Sequence, residues 1–140
     1  MIPTPTPTVQ QTAHSLLTRL LALAYVDQEV DMRELELIYT IARERGISQE
    51  VLEGIMLRPH SISVALPTSA SERVLHLYDL ARLVLADGVI KEEERLMLRR
   101  SVVLYEFDDE NADDIVSFLL EQAQLGAMPA HVAKMAQEAN

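Results

Sequence analysis

The chain has 140 residues, 49% of them hydrophobic but only 4% aromatic, with no Trp, 4 Gly and no Cys. An interior filled by Leu, Ile, Val, Ala and Met favours helices over sheets, and the missing cysteine excludes disulfides, thiolate metal sites and a cysteine nucleophile. The net charge of -10, from 22 acidic and 12 basic residues, repels nucleic-acid phosphates and anionic membranes, so no nucleic-acid partner is expected and cations or basic partners are favoured.

Alternating prolines and threonines in MIPTPTPT predict a flexible Pro/Thr leader over residues 1–9, ahead of a helical domain over 10–140. The start lacks a basic region followed by an apolar core, so it does not read as a secretory signal. The longest apolar stretch, Leu20 to Val26, falls far short of the ~20 residues that span a bilayer. A cytoplasmic protein without direct membrane insertion is expected.

From about Gln10 the apolar residues take up helical spacing, with Leu17, Leu20 and Ala24 on one stripe, which predicts a first helix to about Val26. Asp31 and Glu34 have the spacing of a capping box for a second helix, whose stripe is Leu35, Leu37, Ile38, Ile41 and Ala42 and whose stop is Gly46. Ser48 caps a third helix that ends before Pro59. The segment HSISVALPTSA, His60 to Ala70, has no helical period and reads as a connector. Ser71 is the expected cap of a fourth helix to about Ala86. A fifth runs from about Lys91 to Tyr105, a sixth from Asp108 or Asp109 to before Gly126, and a short last one over Pro129 to Glu138. The expected class is all-α, a single bundle of about six to seven helices.

The second half repeats the first at an offset of 60 residues, the spacing from Asp27 to Asp87. Leu17, Leu20, Leu23, Asp27, Glu34, Glu50 and Ile55 find Leu77, Leu80, Leu83, Asp87, Glu94, Glu110 and Ile115. This predicts an internal duplication of a helix-turn-helix unit, with halves at about 12–59 and 71–125.

Each unit carries a carboxylate pair at its turn. Asp27 falls on the core stripe of the first helix and Glu34 on that of the second, with Glu29 and Asp31 between them, and Asp87 with Glu94 repeats the arrangement. A partly buried carboxylate needs a partner. Backbone N–H groups, an arginine or a divalent cation would serve. Oxygen ligands without His or Cys suit Ca, Mg or Mn, while carboxylates at helix starts are also common as plain caps. An EF-hand is excluded by position: counting from Asp27, Met32 stands where Gly is needed and Ile38 where Glu is needed. The acidic run Asp108, Asp109, Glu110, Asp113 and Asp114 suits a helix start, and Arg95, Arg99 and Arg100 are expected to pair with neighbouring glutamates. His14, His60, His76 and His131 stand in no ligand spacing, and no phosphate loop or nucleophile elbow is present.

The stretch LALAYVDQEVDMRELELIYTIARERGIS and its partner ARLVLADGVIKEEERLMLRR resemble the TerB-like tellurite-resistance family, over roughly residues 12 to 125. The resemblance implies an all-helical bundle of about seven helices without enzymatic activity, acidic positions that bind divalent cations, and a role in bacterial stress responses beside membrane partners. Its acidic pattern carries to Asp27, Asp31 and Glu34, and to Asp87, Glu93 and Glu94. Gln28 stands where the pattern has Gly, which Gly88 keeps, and Lys91 replaces the acid found at Asp31. Two functions are therefore expected in competition. One is a non-catalytic module whose acidic turns take a cation. The other is an adaptor whose acidic turns are only helix caps and whose protein partner docks on apolar residues of the connector, Ile62 and Leu66.

Overall fold

The computed structural model describes residues 6–26 and 30–138. These form seven α-helices, α1 (Val9–Ala24), α2 (Met32–Glu44), α3 (Gln49–Leu57), α4 (Ala70–Val84), α5 (Glu92–Leu104), α6 (Ala112–Gln124) and α7 (Pro129–Glu138), with no strand among the described residues. Single 3₁₀ turns at Pro59–Ser61 and Asp109–Asn111 lead out of α3 and into α6. The expected sixth helix thus begins with a tighter turn.

Local chemistry sets these bounds. Thr8 accepts the Gln11 N–H at 3.0 Å while the Gln11 side chain accepts the Thr8 N–H at 2.9 Å, a reciprocal cap that starts α1 at Val9. The chain leaves α2 through Gly46 at φ 75. There the Gly46 N–H reaches the Arg43 carbonyl at 3.1 Å and the Ile47 N–H the Ala42 carbonyl at 2.8 Å, which closes the helix and returns Ile47 to the core. α5 ends the same way on a side chain that suits it less, with Glu106 at φ 70.

The start of α4 differs from expectation. Ser69, rather than Ser71, is its cap, and accepts the Glu72 N–H at 3.1 Å. Ser69 is the serine with an acid three places on, whereas Val74 holds that place after Ser71.

α4 is the central helix, packed against α1, α2, α5, α6 and α7. Leu16, Leu17, Leu20 and Leu23 of α1 and Leu77, Leu80 and Leu83 of α4 are fully buried, each contributing roughly 1.5–3 kcal/mol of apolar burial. α5 lies 60 residues beyond α2 at both ends, and the two helices bury the same four positions: Glu34, Ile38, Ile41 and Ala42 in α2, and Glu94, Leu98, Ser101 and Val102 in α5. The connector is tied down rather than loose. The Ser15 hydroxyl accepts the Ala65 N–H at 3.0 Å, Arg73 Nε donates to the Pro67 carbonyl at 2.7 Å, and Ile62 and Leu66 are half-buried against the core.

Candidate functional site

The acidic turns stand where α1 passes to α2 and where α4 passes to α5. In the first, Asp31 is the cap of α2: one carboxylate oxygen accepts the Arg33 N–H at 2.7 Å and the Arg33 Nε at 3.2 Å, and the other accepts Arg33 Nη2 at 3.4 Å. Those bonds hold the Asp31 carboxyl below its ordinary range. Glu34 reaches back so that Oε1 accepts the Asp31 N–H at 3.4 Å, completing the capping box. Its side chain is nonetheless buried, at 1% exposure. That burial follows from a register in which Glu34, Ile38 and Ile41 share one face of α2. Asp27, Gln28 and Glu29 lie outside the described residues.

In the second turn Asp87 Oδ1 accepts the Val89 N–H at 3.1 Å, and Oδ2 lies 3.6 Å from the Lys91 ammonium. Gly88 adopts φ 81, the left-handed conformation that glycine takes most cheaply. Lys91 caps α5 without a side-chain bond. Glu94 is buried at 2% exposure, as Glu34 is, while Glu93 is exposed.

The structure adds what the repeat alone does not contain, the relation between the two turns. Lys91 of the second turn contributes to lowering the Asp31 pKa, and Asp87 contributes to raising that of Arg33. The two turns therefore lie within electrostatic reach of each other. Among the described residues, no three His, Cys, Asp or Glu side chains gather closely enough to hold a metal ion. Asp31 with Glu34, and Asp87 with Glu94, each supply two carboxylates. A complete oxygen cage at the first turn would have to draw on Asp27 and Glu29.

A second polar cluster lies at the other end of α2. The Asp79 side chain is fully buried at 0% exposure, and its Oδ2 accepts Arg45 Nη2 at 2.6 Å and Arg45 Nε at 3.1 Å. Its Oδ1 accepts Arg82 Nη1 at 3.0 Å, and Arg82 in turn grips Glu44 at 2.9 Å. Burial pushes the Asp79 carboxyl up from the ordinary range, and Arg45 first, then Arg82, oppose that push. Nearby, His76 Nδ1 lies 3.2 Å from the Tyr105 hydroxyl, with the rings edge to face. Burial lowers His76 to about 3, helped by the charge of Arg45, and raises Tyr105 to about 12. Both are neutral at pH 7.

No family model, characterised protein or solved structure matches this chain.

The remaining expected sites sit as follows. Ile62 and Leu66 pack against the core, while Val64 between them is 62% exposed. The connector thus offers a partner chiefly Val64. Arg99 pairs with Asp109 at 3.1 Å and Asp113 at 3.0 Å, so its partners are the aspartates leading into α6 and not neighbouring glutamates. The buried Asp79 cluster and the His76–Tyr105 pair were not expected from sequence. Their one sequence signal is the lone acid in the apolar run of α4, HLYDLARLV, with Leu80 and Leu83 beside it.

Proposed function

We propose that this chain is a non-catalytic TerB-like module of a bacterial stress response, cytoplasmic and acting with a protein partner, whose acidic end takes a divalent cation such as Ca²⁺, Mg²⁺ or Mn²⁺. The observation that carries this reading is the nearness of two acidic turns, each backed by a buried glutamate, Glu34 or Glu94, with Asp31 of the first within electrostatic reach of the second. Clustered carboxylates repel, and a divalent ion converts that repulsion into attraction. The non-catalytic part is supported by the state of His76, which is buried, neutral and bonded to Tyr105. Among the described residues no helix is long and apolar enough to cross a membrane.

One observation favours a second reading, in which the turns are structural and the chain is an adaptor. Asp31 already closes a capping box and pairs with Arg33, and Asp87 already holds its own turn beside Lys91. Thermal melts of metal-free protein against protein in millimolar Ca²⁺, Mg²⁺ or Mn²⁺ separate the two. Cation binding stabilises the fold by about 2.7 kcal/mol at a hundredfold excess over the dissociation constant. Asp27→Asn removes most of that gain, and Asp87→Asn removes less because Lys91 already offsets charge in the second turn. Identical melting with and without each ion leaves the adaptor reading standing.

A further inference from the structure

Two pairs of equivalent positions differ between the duplicated halves in a way that leaves a cation without a carboxylate partner among the described residues. Positions 19 and 79 are equivalent at the offset of 60, as are 45 and 105. At one crossing between the halves, Asp79 of α4 is met by Arg45 at the end of α2. At the other, Arg19 of α1 points to the end of α5, where its Nη1 lies 3.3 Å from the Ser101 hydroxyl and Tyr105 stands within electrostatic reach. Tyr105 is neutral, and Ser101 already donates its proton to the Met97 carbonyl. No carboxylate pairs with Arg19 among the described residues. The guanidinium is half-buried, and burial lowers its pKa against the opposing influence of Tyr105. A desolvated guanidinium without an anion costs free energy in every protein that carries one.

Beside Arg19 is a hollow of about 150 Å³, bounded by Ser15, Ile62, Val64 and Met97. Ser15 is buried, and its oxygen accepts the Ala65 N–H at 3.0 Å, which leaves its own proton to donate. The hollow is thus polar and cationic on the α1 side and aliphatic on the connector and α5 sides. The planar guanidinium fork matches a carboxylate in geometry and charge, and the aliphatic walls offer apolar surface beside it.

We propose that this hollow is a carboxylate-binding site, in which Arg19 and the Ser15 hydroxyl take the carboxylate and Ile62, Val64 and Met97 flank a short branched aliphatic tail. A free branched short-chain acid and the C-terminal Val or Leu of a peptide share that chemistry. The site is independent of the acidic turns, so it stands or falls apart from the cation reading.

The test follows the Arg19 Nε–H signal by ¹⁵N NMR while isovalerate, acetate or isoamylammonium is added to the full chain. Isovalerate shifts the signal saturably in the millimolar range, acetate does so more weakly, and isoamylammonium leaves it in place. Arg19→Gln weakens isovalerate binding by roughly tenfold or more, read from the Val64 and Met97 methyl signals. A blocked peptide ending in Leu, compared with its C-terminal amide, distinguishes the sources, because only a site open to peptides discriminates the two. Absence of a saturable shift with isovalerate overturns the proposal, as does equal binding of isoamylammonium or of acetate. Should Arg19→Gln fail to fold, the comparison of isovalerate with isoamylammonium on the unaltered chain decides alone.

Discussion

Asp79→Ala tests the buried cluster that joins α2 to α4. The substitution removes a fully buried carboxylate contacted by two guanidiniums at 2.6 and 3.0 Å, while Arg45 and Arg82 remain about four-fifths buried, at 19% and 20% side-chain exposure. Breaking a buried pair by removing one partner costs about 3–5 kcal/mol, because the remaining charge is left desolvated. With an unfolding entropy near 2.1 cal/mol/K per residue over 140 residues, that loss lowers the melting temperature by about 10–17 °C. Two comparisons isolate the mechanism in chemical-denaturation and calorimetric melts. Glu44→Ala, which removes the 44%-exposed partner of Arg82, costs at most about 1 kcal/mol. The double variant Arg45→Met with Asp79→Leu recovers much of the single-site loss, since an apolar pair of similar volume replaces the Arg45–Asp79 pair and leaves only Arg82, which keeps Glu44 at 2.9 Å, without its buried partner. A loss for Asp79→Ala below about 1 kcal/mol would refute the reasoning. So would a double variant no more stable than Asp79→Ala, because the cost would then not come from stranded charge.

Two further predictions concern the same half of the molecule. The folded chain holds His76 near pKa 3 against an ordinary 6.5, so below pH 6.5 the unfolded chain takes up a proton that the folded chain refuses, and stability falls as pH falls. Between pH 6.5 and 5 the loss approaches about 1.4 kcal/mol per unit, and urea titrations should show a shallower pH slope for His76→Gln; equal slopes would show that His76 charges freely in the fold. At the end of α5, Glu106 adopts φ 70 where its equivalent is Gly46, so Glu106→Gly should relieve about 1 kcal/mol of backbone cost. Part of that gain is offset by the lost ion pair with Arg73, and a lowered melting temperature would place the greater weight on the pair.

The order of helices was legible because each one announces its own period and its own cap. Asp31 with Glu34, Ser48 and Gly46 do at α2 and α3 what their residue types do in any helix. The error at α4 came from two serines two places apart, of which only Ser69 has Glu72 at the reciprocal position. Burial of Glu34 was also legible, since Ile38 and Ile41 share its stripe. The Asp79 cluster was not legible. Its partner Arg45 lies 34 residues away on another helix, and no local pattern distinguishes an acid that meets two arginines from one that tilts into solvent. The facing of the two turns was hidden for the same reason, being a property of how the halves pack and not of either half.

That packing also constrains what each half is for. The same architecture presents equivalent positions twice, so residues that differ between copies mark where the copies do different work. Both copies retain the buried glutamate behind the turn, Glu34 or Glu94, and the buried leucines of the long first helix. They part in where the turn's counter-charge stands, at Arg33 in the first turn and at Lys91 in the second, and at the two crossings between the halves, one of which seals Asp79 with Arg45 while the other sets Arg19 against Tyr105. A sealed crossing fixes α2 to α4, because moving either helix strands a buried charge. The crossing of α1 with α5 carries no such penalty, and its cation faces a hollow that also touches the connector. The crossing with the unsatisfied guanidinium is therefore the one whose packing a small ligand can alter, and the sealed crossing is the frame against which that alteration is felt.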